Sequence, residues 1–181
     1  MEDSLRGAWA ASYDAWIDVP GCSGVIYNRP GNVSQGILEY PTSVLTSCMF
    51  AVMAHNPMGV RASDDDNDRA HAQLTARIDA LTLPQGGWIA PFFGFSDDWR
   101  EPGFVLACPS FDANAIAQTR EYAVELAKEF VQGAIYEYHP IEGQRCALLR
   151  KTVHVVMSSG VNSEVILVQT PRPATPYSNP H

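Results

Sequence analysis

The stretch Cys48-Met49-Phe50-Ala51-Val52-Met53-Ala54-His55-Asn56-Pro57 decides how this chain folds. Cys48–Ala54 is its longest unbroken apolar run. A short run without alternation reads as a strand covered on both faces. His55-Asn56-Pro57 ends it. Ser63 then opens a helix with Asp64, Asp65 and Asp66 in the first turn, a capping-box pattern with acids at the positive helix end. Ala70, Leu74, Ile78 and Leu81 give that helix one apolar stripe, and Pro84-Gln85-Gly86-Gly87 stops it. Trp88–Phe93 and Phe104–Cys108 follow as strands around a polar loop, Gly94 to Pro102. Asp112 caps a second helix with Ile116, Thr119, Ala123, Leu126 and Phe130 on one face, Gly133 is placed to stop it, and Ala134–Tyr138 is a further strand.

Read in order, this is strand, helix, strand, strand, helix, strand. The pattern predicts an α+β domain with a ferredoxin-like βαββαβ core over residues 48–138. In that arrangement Phe104–Cys108 lies between Cys48–Ala54 and Trp88–Phe93. Outside the core, Ala15–Val19 and Gly24–Tyr27 flank the turn Pro20-Gly21 and read as a hairpin. A short helix is expected around Val33–Tyr40. Cys146–Met157 and Glu164–Gln169 read as a C-terminal hairpin. The single domain is expected to cover residues 1–169, with 170–181 a proline-rich tail, since Pro171, Pro173, Pro176 and Pro180 fall there.

Composition narrows the function classes. The net charge is −8 with only 12 Lys and Arg in 181 residues. A nucleic-acid partner needs clustered cations to displace counterions, so none is expected. No apolar run is long enough to span a membrane, and Met1-Glu2-Asp3-Ser4 lacks the basic start of a signal peptide, so a soluble cytoplasmic protein is expected. Cys22, Cys48, Cys108 and Cys146 form no CxxC pair and read as free thiols. No serine or cysteine has a suggestive histidine partner in sequence, and His139 and His154 read as ordinary residues. Glycine-rich phosphate loops, nucleophile elbows and zinc-protease motifs are absent.

The topology gathers polar groups at one edge of the sheet: His55, Asn56 and Pro57; Ser63 to Asn67; Gly94 to Glu101; and Gln132. Asn67 precedes Ala70 and Leu74 on the apolar stripe, so its amide projects inward and needs partners, which Asn56 and Gln132 are placed to supply. Asp64, Asp65, Asp66, Asp97, Asp98 and Glu101 converge there too, but the first three already serve as a cap and solvated face, and no metal or cofactor is assigned.

At these residues the chain resembles a bacterial and phage domain family of unknown function, family thirty-two ninety-three. The resemblance rests on Ala54-His55-Asn56-Pro57, on Asn67, on Trp99-Arg100-Glu101, and on Phe130-Val131-Gln132-Gly133-Ala134. It covers about residues 50–138 and implies a shared fold and a shared site, without naming an activity.

Two functions are expected from the sequence. In the first, a small polar molecule, a nucleotide or metabolite, binds at the edge through Asn56, Asn67 and Gln132, with Trp99 stacked on a ring and Glu101 an acceptor or general base. In the second, the chain is a non-catalytic interaction module, such as a regulator or inhibitor, that binds a protein partner. The sequence decides neither whether the chain is an enzyme nor its oligomeric state.

Overall fold

A computed structural model describes residues 13–17, 21–22, 24–28, 36–95, 100–155 and 161–169. The strands are β1 (Tyr13–Ile17), β2 (Val25–Asn28), β3 (Ile37–Leu38), β4 (Ser47–Met53), β5 (Trp88–Phe95), β6 (Arg100–Pro109), β7 (Ala134–Pro140), β8 (Ala147–His154) and β9 (Val161–Val168). The described helices are α1 (Thr42–Leu45), α2 (Asp64–Asp79) and α3 (Ala113–Glu129), with a single 3-10 turn at Pro57–Gly59. The protein is thus an α+β fold.

All strand pairs are antiparallel, and the sheet order is β2-β1-β5-β6-β4-β7-β8-β9-β3. β6 lies between β4 and β5. The flanking hairpins extend the sheet: β1 adds to β5 and β8 adds to β7. The sheet then curls until β2 pairs with β9, from Val25 opposite Val168 to Asn28 opposite Val165. A four-stranded core alone would leave two rows of unpaired backbone groups; here these edges are extended and meet.

The curl creates two cores, and β4 serves both. Met49 and Ala51 join Ile17, Ile26, Val105, Tyr138, Leu148 and Leu167 in one cluster. Cys48, Phe50 and Val52 join Leu74, Ile78, Leu106, Ala123 and Leu126, from α2, β6 and α3, in the other. This is why the run shows no polar alternation: both faces of the pleat are dry. Ser63 caps α2, its hydroxyl accepting from the Asp66 amide at 3.2 Å. The Asp112 carboxylate caps α3 by accepting from the amides of Asn114 and Ala115, each at 3.0 Å.

Several expectations need correction. Ile37 and Leu38 are not helical; they pair with Val168 and Leu167 of β9, so a tertiary backbone partner overrides local preference. The helix in that region is α1, Thr42–Leu45, whose Val44 is fully buried in the first core. The polar loop between the middle strands is shorter than expected, because Gly94 pairs with Glu101 and Phe95 with Arg100. Glu101 is therefore a strand residue. Gly103 permits this close approach: a Cβ there would strike the Val52 carbonyl oxygen, the Phe92 ring and the Met53 side chain. Gly133 does not stop α3; Val131 does, at φ 54°. The residues from 1 to 12, those from 156 to 160, and the tail at 170–181 lie outside the described residues.

Candidate functional site

Asn56 is the hub of the predicted edge. It lies just past β4, after Ala54 and His55, and adopts a left-handed conformation, φ 48° and ψ 67°, which asparagine tolerates better than most residues. Its backbone amide donates to Asn67 Oδ1 at 2.9 Å. Its Oδ1 accepts from Asn67 Nδ2 at 3.2 Å and from the Ala62 amide at 3.0 Å. Its Nδ2 donates to Glu101 Oε1 at 2.6 Å. Asn67 is buried in the first turn of α2, as its place on the apolar stripe requires. Asn56, Asn67 and Glu101 thus form one network linking the end of β4, the start of α2 and the start of β6.

Gln132 is buried and sits beside this network without joining it through a side chain. Its Nε2 donates to the His55 carbonyl at 2.9 Å and to the Phe130 carbonyl at 3.2 Å. It therefore holds the backbone one residue before Asn56. Trp99, Asp97 and Asp98 lie outside the described residues. Among the described residues, no group of three or more His, Cys, Asp or Glu side chains is arranged to hold a metal. Asp66 is engaged with Ser63 and Arg69, at 2.7 and 2.8 Å.

The electrostatics single out Glu101. Burial pushes its carboxyl up to about 7, and the hydrogen bond from Asn56 only partly offsets this. Asn56 reaches one of its oxygens, and no cation answers its charge among the described residues. A carboxyl poised near neutrality exists in both protonation states at physiological pH, which suits proton transfer or a switchable acceptor.

Two histidines, whose spacing in the sequence does not suit metal ligands, adjoin the hub. The His55 and His71 rings meet edge to face with centroids 5.9 Å apart, and His71 stacks on Phe104 at 5.7 Å. Burial, and then His71, lowers His55 to about 4 against the pull of Asp68 and Asp64. Burial lowers His71 as well, with Asp68 opposing. Both rings are therefore neutral at pH 7. His55 Nε2 and His71 Nδ1 are buried and lack a hydrogen-bond partner among the described residues. The apolar neighbours of the pair, rather than any spacing, were the available signal.

The rim is strained. Met58 and Val131, at φ 53° and 54°, share the left-handed region with Asn56. For a β-branched residue this is a true outlier, costing roughly 1–2 kcal/mol. The Met58 amide donates to the Val131 carbonyl at 2.9 Å, which ties the two strained positions together. Met58, Val60 and Val131 are also exposed, at 42%, 68% and 54%.

These residues fall within one matched segment. Residues 52–135 match the model of a family described as a protein of unknown function, DUF3293. The whole Asn56–Asn67–Glu101–Gln132 constellation lies inside the DUF3293 match, as does the His55–His71 pair. No curated protein and no solved structure matches the chain. No helix among the described residues is long and apolar enough to cross a membrane.

Proposed function

We propose that the DUF3293 edge binds a small polar ligand, a nucleotide or metabolite, with Glu101 as its acceptor or general base. The observation that carries this reading is the Glu101 carboxyl itself: among the described residues it is met by one amide and no cation, and it is poised near 7. Left-handed backbone at Asn56, which contacts Glu101 directly, supports it, because such strain collects at functional sites. In this reading Asn56 and Asn67 are positioning residues whose hydrogen bonds are spent on each other and on Glu101. Gln132 fixes the loop behind them, and Trp99, just before Glu101 in sequence, stacks on a ring of the ligand. The ferredoxin-like reading of the core is also a proposal, supported by the order β5-β6-β4-β7 with α2 and α3 on one face.

Thermal-shift screening against nucleotides and metabolites tests the ligand, using wild type and Glu101→Gln. A compound that raises the wild-type melting temperature and loses its effect in Glu101→Gln is the expected result. A Glu101→Gln variant that responds as wild type does, or a screen with no stabilising compound, would overturn the reading.

A second reading, an interaction module, is favoured by one observation: Met58, Val60 and Val131 expose apolar surface on this rim. It predicts that Val60→Asp abolishes capture of a protein partner while leaving any small-ligand response intact.

A further inference from the structure

Away from the DUF3293 edge, the register of β4 against β7 builds a second constellation. Met49 pairs with Tyr138 and Phe50 with Glu137, which brings Cys48 alongside His139. His139 Nδ1 lies 3.3 Å from Cys48 Sγ, and His139 Nε2 lies 3.0 Å from Glu137 Oε2. Glu137 is almost wholly buried and receives Arg120 in a two-pronged pair, at 2.7 and 2.8 Å. Burial raises the Glu137 carboxyl, but the hydrogen bonds from His139 and Arg120 outweigh it and hold the group below its usual range. It is therefore an ionised acceptor. A carboxylate cannot donate, so His139 Nε2 carries a hydrogen, and in the neutral ring the Nδ1 lone pair faces the Cys48 thiol.

This row opens on a cleft of about 630 Å³. Cys48, itself almost wholly buried, and His139 line it; Leu45, Ile116 and Ile141 supply an apolar wall, and Glu142, Gln144 and Arg145 supply a polar one. The volume lies within the range of small-molecule sites. A thiol, a base oriented toward it, and a third group that fixes the base form the general pattern of an activated nucleophile.

We propose that Cys48 is a nucleophile toward small activated acyl compounds, esters or thioesters with an apolar acyl chain, with His139 as its general base and Glu137 as the residue that positions His139. Cys48 Sγ attacks the carbonyl carbon and its proton passes to His139 Nδ1. Collapse of the tetrahedral adduct breaks the bond to the leaving alcohol or thiol, which takes that proton. Water then attacks the Cys48 thioester, its proton passing to Nδ1 and on to the departing Cys48 sulfur, so one ester and one water become one acid and one alcohol. The thiol does not ionise in advance. Burial pushes Cys48 up to about 11, reinforced by Cys108 of β6 and Glu137 of β7, while Arg120 of α3 and Lys151 of β8 act the other way. The proton must therefore leave as the carbon–sulfur bond forms, which is the task of a base within hydrogen-bond reach.

The test uses p-nitrophenyl butyrate with the full chain, following nitrophenolate release and mapping the acyl group by peptide mass. The expected result is one butyryl group on Cys48, no release burst in Cys48→Ala, and acylation slowed roughly 10²-fold in His139→Asn. Glu137→Gln should also move the pH profile of acylation, a change that loss of packing alone would not produce. Acylation confined to Cys146 or another cysteine, or an unchanged rate in His139→Asn, overturns the proposal. Cys48→Ala and His139→Asn decide it even if Glu137→Gln fails to fold.

Discussion

The two polar constellations differ in how they treat their carboxyl groups. Glu137 has almost no exposed surface, yet it stays ionised because Arg120 and His139 both address it. Glu101 receives one neutral amide and holds its proton up to about 7. Burial alone does not decide the charge of a carboxyl; the number and charge of its partners does. The two regions also differ in origin within the chain. The Glu101 edge lies inside the segment that matches DUF3293, whereas Cys48, Glu137 and His139 lie just outside it on either side.

The largest expected effect concerns Glu101. Burial pushes its carboxyl up to about 7 in the fold from an ordinary 4.5, so the folded state binds the proton more tightly. The stability this confers is fully present below pH 4.5 and is lost as pH rises through 7. Replacing it with glutamine removes the penalty of an ionised, buried group. At pH 8 Glu101→Gln should be more stable than wild type by about 3 kcal/mol, and the gap should close near pH 4. His55 pulls the other way in wild type: lowered from 6.5 to about 4, it costs stability as pH falls through that window. Urea melts of both proteins from pH 4 to 8 separate the two. If the variant gains nothing at high pH, the contrast with Glu137 collapses.

A smaller effect, this one a loss, is expected at Asn67. Removing its amide leaves the Asn56 backbone N–H and side-chain oxygen short of a partner. Asn67→Ala should cost about 1–3 kcal/mol, read from the same melts. A near-zero cost would mean that the network is not a support for Glu101 but a set of groups awaiting a ligand.

The smallest effect has the opposite sign. Val131 is exposed and left-handed at the end of α3, where glycine carries no Cβ penalty. Val131→Gly should raise stability by about 1 kcal/mol. If it also weakens the response to a screening hit, the strain serves the site; if it does not, the strain is incidental to it.

Much of the frame was legible in the sequence because it follows from local periodicity. The unbroken run of β4 announced two dry faces, and Ser63 and Asp112 announced their helices through cap chemistry. Asn67 was legible as a buried amide because it interrupts an apolar stripe. The rest depends on pairings that periodicity does not encode. The curl is made by β2 meeting β9, and Ile37–Leu38 becomes a strand only because β9 offers it a ladder. Glu101 read as a loop residue because Pro102 and Gly103 look like turn signals, yet Gly103 is there to let neighbouring strands close in. Cys48 and His139 are 91 residues apart, and only the β4–β7 register joins them.

The central claim is that Glu101 holds its proton near neutrality while Glu137 does not. Selective carbon-13 labelling of glutamate carboxyls, followed by NMR from pH 3 to 9, measures both in one sample, with Glu101→Gln assigning the first resonance. The account predicts a Glu101 midpoint at about 7 and a Glu137 midpoint below the usual 4.5. A Glu101 resonance that titrates near 4.5 would contradict it.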